Sequence, residues 1–215
     1  FDRQDGLYTV CVRGVENGVT VEENIINASV SRVLGAKTEW NKILECAHNP
    51  EMRIVLSNTT EVGIQLVDDD IHAAPPVSFP GKLLAFLLER YKAFQGSIES
   101  GMVIVPTELI TDNGSKLESI VLELAHLNNL DFKFIEWLET HNTFCNSLVD
   151  RIVPGKPNAT ELKKTEDSLG YTDELLTNSE VFRLWAIEGN EKTKEVLSFY
   201  KADDAVVITP DITLF

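Results

Sequence analysis

Phe144-Cys-Asn-Ser-Leu-Val-Asp-Arg-Ile-Val-Pro154 sets an acid and a base, Asp150 and Arg151, inside an otherwise apolar run. A charge taken out of water without a partner is costly, so two readings are open. The two residues are either a structural ion pair at the end of a strand or a pair poised at a wet cleft. Upstream lie two further short apolar runs, Arg53-Ile-Val-Leu-Ser57 and Gly101-Met-Val-Ile-Val-Pro106. Continuous apolar runs of this length suit strands covered on both faces of a parallel sheet. Before and between them the apolar residues recur at helical spacing: Trp40, Ile43, Leu44 and Ala47, then Leu83, Leu84, Leu87, Leu88 and Tyr91. Leu117, Ile120, Val121, Leu124 and Leu127 make another such face, followed by Phe134, Ile135 and Leu138. Strand–helix alternation of this kind specifies an α/β fold, a mostly parallel sheet with helices on both faces.

The helix starts carry their own signals. Ser78 is a cap followed by Pro80 in the first turn, Ser115-Lys-Leu-Glu118 reads as a capping box, and Asp131 opens the next helix. At the amino end, Leu7–Arg13 is β-rich, and Asn17-Gly18 suits a tight turn into a hairpin or meander over Val19–Val33. Beyond Pro154-Gly-Lys-Pro157, Asn158-Ala-Thr-Glu161 caps an acidic helix that stops at Leu169-Gly170. Val181–Ile187 and Ala205–Ile208 read as the last strands. The chain opens on Phe1 and closes on a strand-like run, so it is expected to be a piece of a longer polypeptide.

Composition narrows the partners. Nineteen basic residues against 34 acidic ones give a formal charge of −15 over 215 residues, which repels nucleic acid and anionic membrane surfaces. No apolar run approaches the roughly 20 residues of a membrane-spanning helix. Cys11, Cys46 and Cys145 are odd in number, widely spaced and flanked by apolar residues. They read as reduced core thiols of a cytoplasmic protein, with neither a disulfide framework nor a zinc pattern, and no metal is expected.

Ligands of open α/β sheets bind beyond the carboxyl ends of the strands. Two candidates lie there. Ser57, Asn58 and Thr59 follow the first apolar strand and offer hydroxyls and an amide to a ribose or a nicotinamide amide, although a loop satisfying its own backbone would look the same. Glu108 follows the second strand and is a cleft candidate, with a surface carboxylate as the simpler reading. No two glycines are separated by a single residue, so the Gly-x-Gly turn that brings backbone against a pyrophosphate is not in this stretch.

The opening run resembles the signature of the long-chain polyol dehydrogenases, the mannitol dehydrogenase family. The family's Phe-x-x-Ser-x-Val-Asp-Arg-Ile-x-Pro core reads through residues 144–154 without a mismatch. Gln4-Asp-Gly-Leu-Tyr-Thr9 and Asn58-Thr-Thr-Glu-Val-Gly63 also resemble family segments, the second lying next to the cofactor. The resemblance implies a Rossmann-like fold truncated at both ends. Residues 1–215 would be an incomplete amino-terminal nucleotide-binding domain, lacking the first βαβ unit and the helical catalytic domain. It also implies NAD as cofactor and the remainder of its own chain as partner, with no nucleic acid and no membrane.

The family's catalytic Lys-x5-Asn-x2-His would follow residue 215, and Asp150 would stand near that lysine in the proton path. His48–Glu61, Pro106-Thr-Glu-Leu-Ile110 with Asn113-Gly114, and Leu169-Gly-Tyr-Thr-Asp173 resemble the members acting on small sugar acids. Polyol-oxidising members carry Cys-Asp-Asn where this chain has Thr107-Glu108-Leu109, so Leu109 cannot hold the substrate oxygen as their asparagine does. A sugar acid needs a cation for its carboxylate; Arg151 is available for that role, or else braces Asp150. The other readings are a family member acting on fructuronate or mannitol, and a binding domain that keeps the scaffold without the chemistry.

Overall fold

The strands are β1 (Tyr8–Glu16), β2 (Val19–Asn27), β3 (Ile54–Ser57), β4 (Val103–Pro106), β5 (Thr143–Phe144), β6 (Ser147–Asp150), β7 (Thr177–Glu180), β8 (Leu184–Glu188) and β9 (Val206–Thr209). The helices are α1 (Ala36–Cys46), α2 (Phe79–Ala93), α3 (Asn113–Leu127), α4 (Phe132–His141), α5 (Ala159–Leu169) and α6 (Glu191–Val196). The structure, a computed structural model, describes residues 1–60 and 62–215; Glu61 of the segment resembling the family's cofactor loop lies outside the described residues. By contacts the chain divides into two compact units, Phe1–Val33 with Asp150–Leu184, and Leu34–Val149 with Trp185–Phe215.

The larger unit holds the expected parallel strands. β3 pairs with β4 in parallel from Ile54↔Val103 to Ser57↔Pro106, and β4 pairs with β5 in the same sense. β6, β8 and β9 form a second three-stranded set in which β8 and β9 are parallel. Successive side chains of a strand point to opposite faces, and β4 shows why its sequence is apolar throughout. Ile104 enters a core built with Leu84, Leu87, Leu117, Val121 and Phe134, while Val103 and Val105 enter another with Cys145, Ile187, Leu197 and Ile208. All four β4 residues are buried. In the first core Tyr91 meets Phe134 and Trp137 edge-on at 5.3 and 5.5 Å, the geometry that aromatic quadrupoles favour. Arg90 is fully buried there and donates to the carbonyls of Ala47 and Asn49 past the end of α1 and to that of Ser100 ahead of β4, acceptors that would otherwise be left over.

Ser78 caps α2 by accepting from the Gly81 amide at 2.9 Å, and Asp131 caps α4 through the Lys133 amide, both as the sequence implies. The capping box expected at Ser115 is not formed. α3 begins three residues earlier than such a cap would place it, after Asp112 in the left-handed region at φ 53°, and the Ser115 amide is taken by Asn146 Oδ1. The reason is tertiary: Asn113 is buried among strand ends. Gly114 is so close to the next strand that a Cβ would sit 2.4 Å from the Cys145 carbonyl carbon.

β3 is the outer strand of its sheet, and Leu56 on it is half exposed. An apolar groove runs beside it, lined by Trp40, Ile43, Ile54, Phe79 and Phe86.

In the smaller unit β1 lies between β2 and β7, antiparallel to β2 and parallel to β7. The β1–β2 register closes at Glu16↔Val19, so Asn17 and Gly18 make a two-residue turn with φ of 51° and 78°, both positive as a type I′ turn requires. α5 has the expected ends, with Asn158 accepting from Thr160 and Glu161, and Gly170 left-handed at φ 79°. β7 was not legible as a strand: Thr177-Asn-Ser-Glu180 is polar and becomes one only by pairing with β1. The run expected over Val181–Ile187 correspondingly starts later, at Leu184.

Candidate functional site

Parallel pairing brings the carboxyl ends of β3 and β4 level, with Ser57 opposite Pro106. The Thr107 amide and hydroxyl both donate to the Ser57 carbonyl, at 2.9 and 2.7 Å, which turns the chain after β4 across the end of β3. That turn delivers Glu108 into the interior. Glu108 is 5% exposed, so the surface-carboxylate reading is corrected. One carboxylate oxygen accepts from Ser57 Oγ at 2.9 Å; the other accepts from the Thr59 amide at 2.8 Å and from Thr59 Oγ1 at 2.7 Å. Three donors answer a charge that would otherwise be costly to bury. The sequence candidates Ser57, Thr59 and Glu108 therefore come together, although two of them are engaged with the third. Asn58 between them is exposed, with no hydrogen-bond partner among the described residues.

A second buried polar side chain ties the next strand to this one. Asn113 Nδ2 donates to the carbonyls of Pro106, Glu108 and Ser147 at 3.1, 3.0 and 2.9 Å. Its Oδ1 accepts from the amides of Gly114 and Ser147, each at 2.9 Å. The Ser147 hydroxyl donates to the Pro106 carbonyl. Asn113 was not among the sequence candidates for the site. Its only signal was its place in a segment resembling the family, because a lone asparagine at a helix start reads as a cap.

A cavity of about 290 Å³ opens here, bounded by residues 108–112, by 147–149 of β6, and by Ile212 and Thr213 beyond β9. It lies past the ends of β4 and β9, where open α/β sheets bind ligands. Its lining offers the hydroxyls of Thr111, Ser147 and Thr213 and the acids Glu108 and Asp112 among apolar side chains, with no lysine or arginine among the described residues. Such a donor set suits a nicotinamide amide and a ribose better than a pyrophosphate. Leu109 is 70% exposed at its edge.

Asp150 and Arg151 belong to the other unit by contacts. Both are exposed, as are Ile152 and Val153 after them, so the run is buried at Cys145 and Ser147 but not at its end. No ion pair joins Asp150 to Arg151 among the described residues; the Arg151 guanidinium donates instead to the Glu180 carbonyl, at 3.1 Å from Nη2 and 3.3 Å from Nε. The two charges stand in water at the end of β6.

Cys145 and Cys11 are buried, as expected of core thiols, whereas Cys46, read the same way, is only half-buried at the end of α1. Burial, reinforced by the Glu188 carboxylate, pushes the Cys145 thiol up to about 11, so it is no nucleophile at neutral pH. Among the described residues no cluster of His, Cys, Asp and Glu is placed to hold a metal ion, and no helix is long and apolar enough to cross a membrane.

The family model of the mannitol dehydrogenase Rossmann domain matches residues 1–199. The altronate oxidoreductases of Bacillus subtilis (strain 168) and Shigella flexneri are each 43% identical to this chain, over 99% and 97% of its length. That of Halalkalibacterium halodurans is 42% identical over 94%. The chain spans 44%, 44% and 40% of these three relatives, less than half of each. Among solved structures, mannitol 2-dehydrogenase of Pseudomonas fluorescens, in a ternary complex with NAD and D-mannitol, matches 99% of this chain and 43% of that one, with a TM-score of 0.77 at 24% identity. A substrate-free D-sorbitol dehydrogenase gives the same TM-score at 23% identity. At these identities the structural likeness establishes the fold.

Proposed function

The chain belongs to the mannitol dehydrogenase family, and we propose that it is part of an NAD-dependent altronate oxidoreductase interconverting D-tagaturonate and D-altronate. The observation that carries this reading is 43% identity, running along 99% of the chain, to a protein of that name. The cavity beyond the strand ends supports the reaction class, since it lies where a fold of this kind holds a dinucleotide.

NAD, when bound, supplies or takes up the hydride exchanged with the substrate carbon. The chain's own residues bind and orient. The 57–59 loop and the turn after β4 hold the nicotinamide end, and the cavity lining, with hydroxyls and no basic side chain among the described residues, matches an amide and a sugar better than a pyrophosphate. Asp150, exposed at the end of β6, exchanges a proton with solvent and passes it toward the family's catalytic lysine, which comes from outside residues 1–215. Arg151 remains a candidate for the sugar-acid carboxylate, although its guanidinium already donates to the Glu180 carbonyl. The exposed apolar edge at β3 is the place for a further strand of the same polypeptide, so that residues 1–215 form the incomplete nucleotide-binding portion of the enzyme.

The test uses the full-length protein. NADH oxidation followed at 340 nm with tagaturonate, fructuronate and fructose in turn is expected to be fastest with tagaturonate. Fastest turnover on fructose would overturn the assignment, and no turnover on any of the three would leave the chain as a binding domain.

A further inference from the structure

We propose that Glu108 is a positioning residue for the cofactor loop. It holds Ser57 and Thr59 inward, so that the side chain the 57–59 loop offers a dinucleotide is Asn58. The inference rests on the dinucleotide reading above and divides the work among residues that the sequence leaves equivalent. All three loop residues carry the amide or hydroxyl groups that a ribose or nicotinamide would use. The structure separates them, because Ser57 Oγ, Thr59 Oγ1 and the Thr59 amide all donate to one buried carboxylate. A hydroxyl has a single proton to donate, so Ser57 and Thr59 cannot make these bonds and also donate to a ligand. Glu108 in turn has its oxygens occupied and carries a negative charge, so it is a poor partner for a sugar acid.

A second observation shows that the loop is fixed from its other side. The Gly63 amide donates to the Thr60 carbonyl at 2.7 Å, and a Cβ on Gly63 would meet Thr59 Oγ1 at 2.1 Å. Only glycine lets the returning chain pass close enough to leave Thr59 on Glu108. The loop is thus clamped by a carboxylate on one side and by backbone on the other. Asn58 is left exposed at the carboxyl end of β3, with its amide not engaged by any described residue. A preorganised loop of this sort raises affinity by removing the cost of ordering it on binding.

The experiment measures NADH affinity by fluorescence titration, melting temperature, and KM against kcat with tagaturonate, for the full-length protein and four variants. Asn58→Ala is expected to raise the NADH dissociation constant five- to twentyfold with the melting temperature unchanged, since the residue is exposed. Glu108→Gln and Gly63→Ala are expected to raise it in the same direction, chiefly through the KM for NADH, and Glu108→Asp is expected to recover part of the loss. Unchanged affinity in both Asn58→Ala and Glu108→Gln overturns the proposal. So does a tenfold fall in kcat at saturating NADH for Glu108→Gln with affinity unchanged, which would place Glu108 at the reacting atoms. Failure of the unsubstituted protein to bind NADH sinks the dehydrogenase reading itself, and that control separates the two failures.

Discussion

The two units solve the burial problem in opposite ways. In Leu34–Val149 with Trp185–Phe215, twenty buried hydrophobic residues make a continuous core around α2, α3 and α4, and buried polar side chains such as Arg90, Glu108 and Asn113 are hydrogen-bonded around it. In Phe1–Val33 with Asp150–Leu184, the buried apolar residues are Cys11, Val12, Leu176 and Val181, while Thr9, Asp173 and Ser179 are buried beside them. There the organising group is a carboxylate. Asp173 accepts from the Thr9 amide at 2.6 Å, from Gln4 Nε2 at 2.8 Å and from the Leu175 amide at 2.8 Å. These bonds close the segment resembling Leu169–Asp173 of the family onto the one resembling Gln4–Thr9. Both units contain a ringed carboxylate, Asp173 in one and Glu108 in the other. In the first it substitutes for a core; in the second it sits at the edge of one that is already sufficient. A small sheet with one half-covered face lacks the apolar area to hold itself, so directional bonds carry more of its stability.

Three substitutions probe that contrast, beginning with the largest expected effect. Phe134→Ala opens a cavity in the aromatic cluster with Tyr91 and Trp137 and is expected to cost about 3–5 kcal/mol in urea unfolding. A loss below ~1 kcal/mol would mean that the larger unit does not depend on its apolar core.

Asp173→Asn keeps the shape but weakens the charge-assisted bonds, and is expected to cost about 1–3 kcal/mol at neutral pH. Its pH dependence sharpens the point. Burial alone would raise the Asp173 carboxyl, but donors from Gln4, Thr9 and Leu175 outweigh it and hold the carboxyl below its ordinary value. A depressed folded value means that the contribution is complete above the unfolded value of about 4 and is lost as pH falls through the folded one. The stability gap between the parent and Asp173→Asn should therefore close below about pH 4. A gap that stays constant down to pH 2 would show that ionisation is not what Asp173 contributes. Asp69 is held low in the same sense, with burial opposed by Ser78 and Val77 donors, and it stays in both proteins, so it cancels from the comparison.

Gly18→Ala tests the hairpin alone. Gly18 sits at φ 78° with open space where a Cβ would go, so only backbone strain is added, about 1 kcal/mol. A larger loss would mean that β1 and β2 depend on their turn more than on Asp173.

The sequence by itself determined the elements whose signals are local. Apolar runs gave β3 and β4, helical periodicity gave α1 to α4, and Ser78, Asp131, Asn158, Gly170 and Asn17-Gly18 marked ends and a turn through bonds made within a few residues. Signature residues gave the family. Only the tertiary structure decided that polar Thr177–Glu180 is a strand, that α3 starts at Asn113, that Asp150 and Arg151 are exposed with Arg151 donating to the Glu180 carbonyl, and that Glu108 is buried across the end of β3. Each of those depends on a partner far away in the chain: Cys11 for β7, Ser147 for Asn113, Glu180 for Arg151, and Ser57 and Thr59 for Glu108. A residue's propensity reports on its neighbours along the chain. A buried carboxylate becomes a clasp only when parallel pairing has brought two strand ends level, and no local pattern encodes that register.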